Sequence, residues 1–272
     1  MTAIAQLLAQ VPSQQRREAE QLISGMLNRS HAWLLANPEF HPDSGLNIRL
    51  QQALARLAQG EPLAYQLGYT DFFGLQLTVT RDVLIPRTDT EVLVETTLKL
   101  DLPTDARVID LGCGNGAIAC ALARHRPGWR IDAVDNRLAA LLIASLNIHR
   151  LKLWGQINTR LGSWWQAVNS TSYDLVVTNP PYIAPQDLAL DPQVAKYEPA
   201  TALYAQEHGL AAYHKIFAGM ATHAPQAVLV CEHGYAQQEQ LLALARQYTL
   251  TSLQKIQDYQ GHNRVLVLAP EI

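Results

Sequence analysis

The chain has 272 residues, with 21 Lys and Arg against 24 Asp and Glu, a net charge of −3, 48% hydrophobic and 17% charged residues. That balance fits an ordinary globular protein and excludes one held on nucleic acid by its overall field, leaving only a local basic groove open. Three cysteines, Cys113, Cys120 and Cys231, lack metal-ligand spacing and point to a reduced, cytoplasmic setting; no basic leader precedes an apolar stretch, and no apolar run is long enough to span a bilayer.

Residues 1 to about 70 read as helical. Ser13 is the expected N-cap of a helix over 14–27, with Ala19, Leu22, Ile23, Met26 and Leu27 on one face. Ser30 caps a second short helix, and 46–59 carries a similar stripe. Pro38, Pro42, Asp43, Ser44 and Gly45 mark the loop between them. Five Arg against six Asp and Glu up to residue 80 leave this part near neutral, which suits a docking surface or lid rather than a catalytic unit. Phe72 to Val79 alternates like a strand and is expected in a hairpin linking two domains. Pro86 ends it, and Thr88 with Glu91 forms a capping-box pattern opening a helix over 89–100. The expected division is thus a helical unit over 1–70, a linking hairpin over 71–86, and a third region over 87–272.

From Ala106 onward strands and helices alternate. Strands are expected at 107–110, 129–134, near Ile157, at 173–178 and at 227–231. Helices are expected after the first strand and over 138–149, 209–222 and 237–248. Repeated βα units imply a parallel sheet with helices on both faces. The last two strands, 253–257 and 264–268, are joined by Gly261-His262-Asn263 without a helix, so the final hairpin makes the sheet mixed.

Three constellations carry chemistry. Asp110-Leu111-Gly112-Cys113-Gly114-Asn115-Gly116-Ala117 lies between the first of these strands and its helix, where glycines permit positive φ and close approach of ligand to backbone. Asp135 ends the next strand, where a carboxylate can accept both hydroxyls of a ribose. Two cofactors fit this frame. A nicotinamide dinucleotide would set its pyrophosphate on the helix N-terminus. S-adenosylmethionine has no phosphate, and its charged methionine portion would lie against the turn near Asp110. Gly116, Asp110 and the lack of a second nucleotide-binding half favour the latter. Trp164, after the third strand, is placed to cover an adenine ring. Finally, Asn179-Pro180-Pro181-Tyr182 follows the apolar strand 173–178. The prolines stiffen the loop and remove two donors. The Asn179 side-chain oxygen and the Pro180 carbonyl remain as acceptors for a planar NH2 group. No metal-ligand pattern is evident.

The Gly turn, Asp135 and the Asn-Pro-Pro-Tyr loop resemble the amino-methylating S-adenosylmethionine-dependent methyltransferases. More closely, the chain resembles the release-factor glutamine N5-methyltransferases, the HemK/PrmC family, over almost its whole length. The resemblance includes Gly60-Glu61-Pro62-Leu63-Ala64-Tyr65, Phe72 to Val79 and Leu84-Ile85-Pro86-Arg87-Thr88-Asp89-Thr90-Glu91. It continues through Tyr197-Glu198-Pro199, Ala202-Leu203, Gly209-Leu210, Glu232-His233-Gly234 and Arg264-Val265. Departures from the family pattern are Thr88 in place of Pro, Cys113 and Asn115 in place of Thr or Ser, and Ser163 where a carboxylate is frequent. Ala195 stands near a usual Arg, and Tyr204 to His208 replaces a Gly-rich stretch.

The resemblance implies an α/β, Rossmann-like methyltransferase domain with a seven-stranded mixed sheet, a small all-α N-terminal domain and a linking β-hairpin. It implies S-adenosylmethionine as methyl donor, with S-adenosylhomocysteine as product. The implied substrate is the glutamine of the Gly-Gly-Gln motif of class 1 peptide chain release factors. In this scheme Asn179 and Pro180 are catalytic, Pro181 and Tyr182 help bind substrate, and Tyr182 packs on the flat amide. The cofactor is held by Asp110, Gly112, Cys113, Gly114, Asn115, Gly116, Asp135, Trp164 and Asn179. Neither direct nucleic-acid binding nor a membrane is expected. The rival readings are a ribosomal-protein glutamine methyltransferase, a nucleic-acid adenine methyltransferase, and a non-catalytic module on the same fold. His233 reads as structural, Arg87 as half of a salt bridge, and Glu198 as a structural partner in the loop covering the site.

Overall fold

The computed structural model describes residues 2–168, 172–187 and 190–271. Two compact units emerge. One takes the chain up to Tyr69 together with Asp191–Tyr197; the other takes Thr70–Leu190 and everything from Glu198 onward. The hairpin therefore groups with the second unit, and a short helix late in the chain, Pro192–Tyr197, groups with the first.

In the first unit, helices Ile4–Ala9, Arg16–Leu27, His31–Ala36, Ser44–Ala58 and Leu63–Leu67 enclose a core of Ile4, Leu7, Leu22, Ile23, Leu34, Leu50 and Leu57. Ser30 caps its helix by accepting the Trp33 N–H at 3.1 Å, and Asp43 accepts that of Leu46 at 2.8 Å. Ser13 does not cap. The chain enters through a 3-10 turn, Ser13–Gln15, whose Ser13 carbonyl takes the Arg16 N–H, so the α-helix starts two residues later than its sequence signal.

The second unit opens with the hairpin of β1 (Tyr69–Phe72) and β2 (Leu75–Thr78). The run Phe72 to Val79 is not one strand. Phe73 (φ 47°) and Gly74 (φ 73°) make the two-residue turn that matches strand twist. Glu91 then leaves its expected capping role, because its carboxylate accepts the Phe73 N–H at 2.8 Å. The helix Thr88–Leu98 consequently starts after Arg87 with no side-chain cap.

The main sheet contains β3 (Arg107–Leu111), β4 (Arg130–Asp135), β5 (Ile157–Leu161), β6 (Leu175–Thr178), β7 (Val228–Glu232), β8 (Leu250–Gln257) and β9 (Asn263–Pro270). Their order is β5-β4-β3-β6-β7-β9-β8. The first five run parallel, and β9 is antiparallel to both β7 and β8. Alternating residues serve the two faces. Val108, Val177 and Val230 pack into one core, and Ile109, Val176 and Leu229 into the other. β4 and β5 lie to one side of β3 and β6 and β7 to the other, so the order switches at β3. Such a switch opens a crevice at the carboxyl ends of the strands. The Gly turn and Asn179 follow strands that end there, and Asp135 is the last residue of a third.

Candidate active site

A cavity of about 340 Å3 opens at this switch point. Gly112, Cys113, Gly114, Asn115, Asp135, Trp164, Asn179 and Pro181 lie on its wall. Asp110, Gly116, Pro180 and Tyr182 do not.

The turn after β3 holds Gly112, Gly114 and Gly116 at φ of 78°, 55° and 81°, values that a side chain would oppose. Gly116 works from behind: it precedes the helix Ala117–His125, and a Cβ there would lie 3.3 Å from that of Ala144. Asp110 also sits behind the turn and is 0% exposed. Its Oδ2 accepts the Ala119 N–H at 3.2 Å, while its buried Oδ1 has no partner among the described residues. Burial lifts its pKa to about 7, the Ala119 N–H pulls against that rise, and the nearby Asp135 charge adds to it. Burial, followed by the charges of Asp110 and Asp135, pushes the Cys113 thiol well up. It lines the cavity as an inert, protonated group.

Asp135 uses both carboxylate oxygens to shape the turn. Oδ2 accepts the Gly114 N–H at 3.0 Å and Oδ1 that of Arg137 at 2.9 Å. Each oxygen keeps a further lone pair for a ligand hydroxyl. Burial raises the Asp135 pKa, and these backbone donors oppose the rise. Trp164 adopts a left-handed backbone, φ 52°, which is uncommon for a bulky residue. A Cβ added to Gly112 would meet its ring at 3.4 Å, so the indole lies flush with the Gly turn.

The donor set discriminates between the two cofactor types. A pyrophosphate needs free N–H groups at the helix N-terminus. Here the Ala117 N–H is spent on Asn115 Oδ1 at 3.3 Å and that of Ala119 on the Asp110 carboxylate. Behind the turn, Asp110 adds an ionisable acid with one orphaned oxygen, which disfavours a phosphate and suits a cation. The residues fit a nucleoside with a positively charged tail.

Asn179 stands at the end of a hydrogen-bond chain. Its Nδ2 donates to Thr90 Oγ1 at 3.1 Å, and the Thr90 hydroxyl donates to Glu232 Oε2 at 2.7 Å. Among the described residues no donor takes Asn179 Oδ1 or the Pro180 carbonyl. Tyr182 donates its hydroxyl to Glu232 Oε1 at 3.3 Å, and burial raises its pKa. The Tyr182 carbonyl accepts from Gln237 Nε2 at 2.9 Å. Gly209 allows this: a Cβ there would lie 2.1 Å from that carbonyl.

One residue that the sequence reading did not single out, Asn147, helps to hold the walls. Asn147, 1% exposed in the helix Leu138–Arg150, accepts the Thr78 N–H at 2.7 Å. It donates to the Thr78 carbonyl at 3.1 Å and to the Asn115 carbonyl at 3.0 Å. It thereby ties the hairpin to the Gly turn. An Asn among Ala140, Leu141, Ala144 and Ile148 on a buried face was a readable signal, since buried amides need partners. Asn147→Ala is expected to lower stability by about 2 kcal/mol, through the Thr78 and Asn115 backbone groups left unsatisfied, and to weaken cofactor binding. Chemical denaturation and calorimetry read the two effects; unchanged values for both would refute this role. Arg87 and Glu198 pair with each other, and Glu198 also accepts the Ile85 N–H at 3.1 Å. His233 is buried, with Nδ1 against its neighbour's carbonyl at 2.9 Å and its pKa lowered by burial.

Sheet order, Gly turn and acceptor loop together define a Rossmann-like methyltransferase. A family model described as PrmC N-terminal domain matches residues 1–68, and one described as methyltransferase small domain matches 88–198. The release factor glutamine methyltransferase of Coxiella burnetii is 40% identical over 274 residues, covering 97% of this chain and 95% of its own. That of Bordetella pertussis is 40% identical over 268 residues, covering 97% and 98%. The solved hMettl16 catalytic domain, in complex with a 3'UTR hairpin, is similar in fold. Its TM-score is 0.57 at 18% identity, over 77% of this chain and 82% of that one. The chain belongs to the release factor glutamine methyltransferase family.

Proposed function

We propose that this chain methylates the side-chain amide nitrogen of the glutamine in the Gly-Gly-Gln motif of class 1 peptide chain release factors. The observation that carries the reading is Asn179, on the cavity wall, whose Oδ1 and the adjoining Pro180 carbonyl are left without protein donors among the described residues. S-adenosylmethionine, when bound, supplies an electrophilic methyl group. The Gly turn, Asp135 and Trp164 would hold it, Asp135 accepting from ribose hydroxyls and the indole offering a face to the adenine, and Asp110 would contribute charge from behind the turn. S-adenosylhomocysteine is the product.

An amide nitrogen is a weak nucleophile because its lone pair is delocalised into the carbonyl. Asn179 and Pro180 accept its two hydrogens, fix its plane and favour the positive charge that develops on it. Alignment and preorganised acceptors then supply the acceleration. Pro181 lines the approach, and Tyr182, anchored through Glu232, packs on the amide. No strong base is required before transfer, since the methylated nitrogen becomes a strong acid and passes its proton to water afterwards. The helical unit over 1–70 docks the release factor, the hairpin over 71–86 joins it to the catalytic domain over 87–272, and the reaction takes place in the cytoplasm.

Mass spectrometry of a release factor incubated with the protein and S-adenosylmethionine tests the reading. The expected result is a mass gain of one CH2 on the Gly-Gly-Gln glutamine. Methylation of a ribosomal protein or of adenine, with the release factor unmodified, would overturn it.

A further inference from the structure

A primary amide can present either its oxygen or its NH2 group to a given neighbour, because turning it over exchanges acceptor for donor at little intrinsic cost. The mechanism requires Asn179 to offer its oxygen. Something in the protein must therefore hold the amide in one sense. Hydrogen-bond polarity beneath Asn179 supplies the constraint.

We propose that Thr90 and Glu232 are positioning residues: Glu232 takes the Thr90 hydroxyl proton, which obliges Asn179 to donate its NH2 to Thr90 and to present Oδ1 to the substrate amide. This deepens the function proposed above and rests on it.

The argument runs outward from the sheet. Glu232 ends β7, is 1% exposed, and accepts from two hydroxyls, Thr90 Oγ1 at 2.7 Å and Tyr182 at 3.3 Å. A carboxylate is acceptor-only, so the Thr90 proton points to it. Thr90 has only lone pairs left for Asn179, 3.1 Å away. If the Asn179 oxygen were turned toward Thr90, two acceptors would face each other, and the hydrogen bond would be replaced by repulsion. The amide is thus held in one orientation by a chain that begins at a charge. The same carboxylate anchors Tyr182, so one buried group orients two members of the Asn-Pro-Pro-Tyr loop. The groups facing Glu232 are Thr90 and Asp89 from the helix Thr88–Leu98, Tyr182 from the loop, and Arg264 from β9. Burial raises Glu232 to about 7, and the Thr90 hydrogen bond and Arg264 oppose that rise. At about pH 8 the carboxylate is ionised and the chain has the stated polarity.

The test is single-turnover methylation of a full-length release factor at about pH 8, with S-adenosylmethionine binding followed by calorimetry. Thr90→Val keeps the side chain's shape and removes its hydroxyl. The expected result is a rate about tenfold below wild type, while the Kd for S-adenosylmethionine stays within about threefold; Thr90→Ser restores the rate to within about threefold. A merely structural Thr90 would not separate rate from cofactor affinity in this way. Equal rates for Thr90→Val and wild type would overturn the proposal, as would equal losses for Val and Ser. Should Thr90→Val not fold, Glu232→Gln carries the same test. Its amide can donate to Thr90 and reverse the chain, so the rate falls about tenfold, and a wild-type rate would count against the proposal. Failure of wild-type protein to modify the release factor would instead reject the proposed substrate, a distinct outcome.

Discussion

Asn179→Ala is expected to cut the rate of methyl transfer by about 10²–10³-fold, the usual cost of removing one preorganised polar group that acts on transition-state charge. The substitution deletes the acceptor for one substrate N–H. The Pro180 carbonyl remains, so binding geometry is degraded rather than abolished. The affinity for S-adenosylmethionine should change by less than about fivefold, because the turn and Asp135 are untouched and Asn179 contributes one polar contact at most. Stability should fall by no more than about 1 kcal/mol, since Thr90 keeps its bond to Glu232 and loses only the Asn179 donor. The signature is a loss in kcat with little change in the cofactor KM. A wild-type single-turnover rate in the variant would remove Asn179 from the mechanism.

Asp135→Asn should show the opposite signature. In the native protein both oxygens accept backbone N–H groups, Gly114 on one side and Arg137 on the other. An Asn side chain supplies one acceptor and one donor, so its NH2 group must face one of those backbone donors. The turn then shifts, and the ribose loses a charged acceptor at the same time. Hydrogen bonds to charged groups contribute about 1.5–3 kcal/mol each, so the Kd for S-adenosylmethionine should rise about 10–100-fold. At saturating cofactor the rate should recover to within about fivefold, because the acceptor loop following β6 is separate from this carboxylate. Calorimetry and initial rates over a range of cofactor concentration check both parts. A variant with unchanged Kd would exclude Asp135 from cofactor binding.

Much of the second unit was legible because its βα alternation is strong. The strands came through with shifted ends, and the C-terminal hairpin was readable from Gly261-His262-Asn263 between two short apolar runs. Local signals failed where a distant group claimed the residue. Thr88 and Glu91 looked like a capping box, yet Glu91 serves the Phe73 N–H across the hairpin. Ser13 looked like a helix cap, yet it opens a 3-10 turn. Short helices such as Ile4–Ala9 and Leu63–Leu67 span too few turns to show a periodicity of their own.

By itself the sequence determined several of the groups that line the cavity. Gly residues at positive φ, a carboxylate at a strand end and an Asn before two prolines are local necessities, each readable from its own few residues. Only the tertiary structure decided how those groups are held. Asp110 was expected at the cofactor and lies behind the turn, because its carboxylate folds back onto the Ala119 N–H. Asn147 reaches 69 positions back to Thr78, and Glu232 reaches 142 positions back to Thr90. Hydrogen bonds between such distant positions leave no periodicity or spacing in the chain. The sense in which the Asn179 amide is turned toward Thr90 is a property of that packing, since an amide side chain has no preferred orientation until its neighbours impose one.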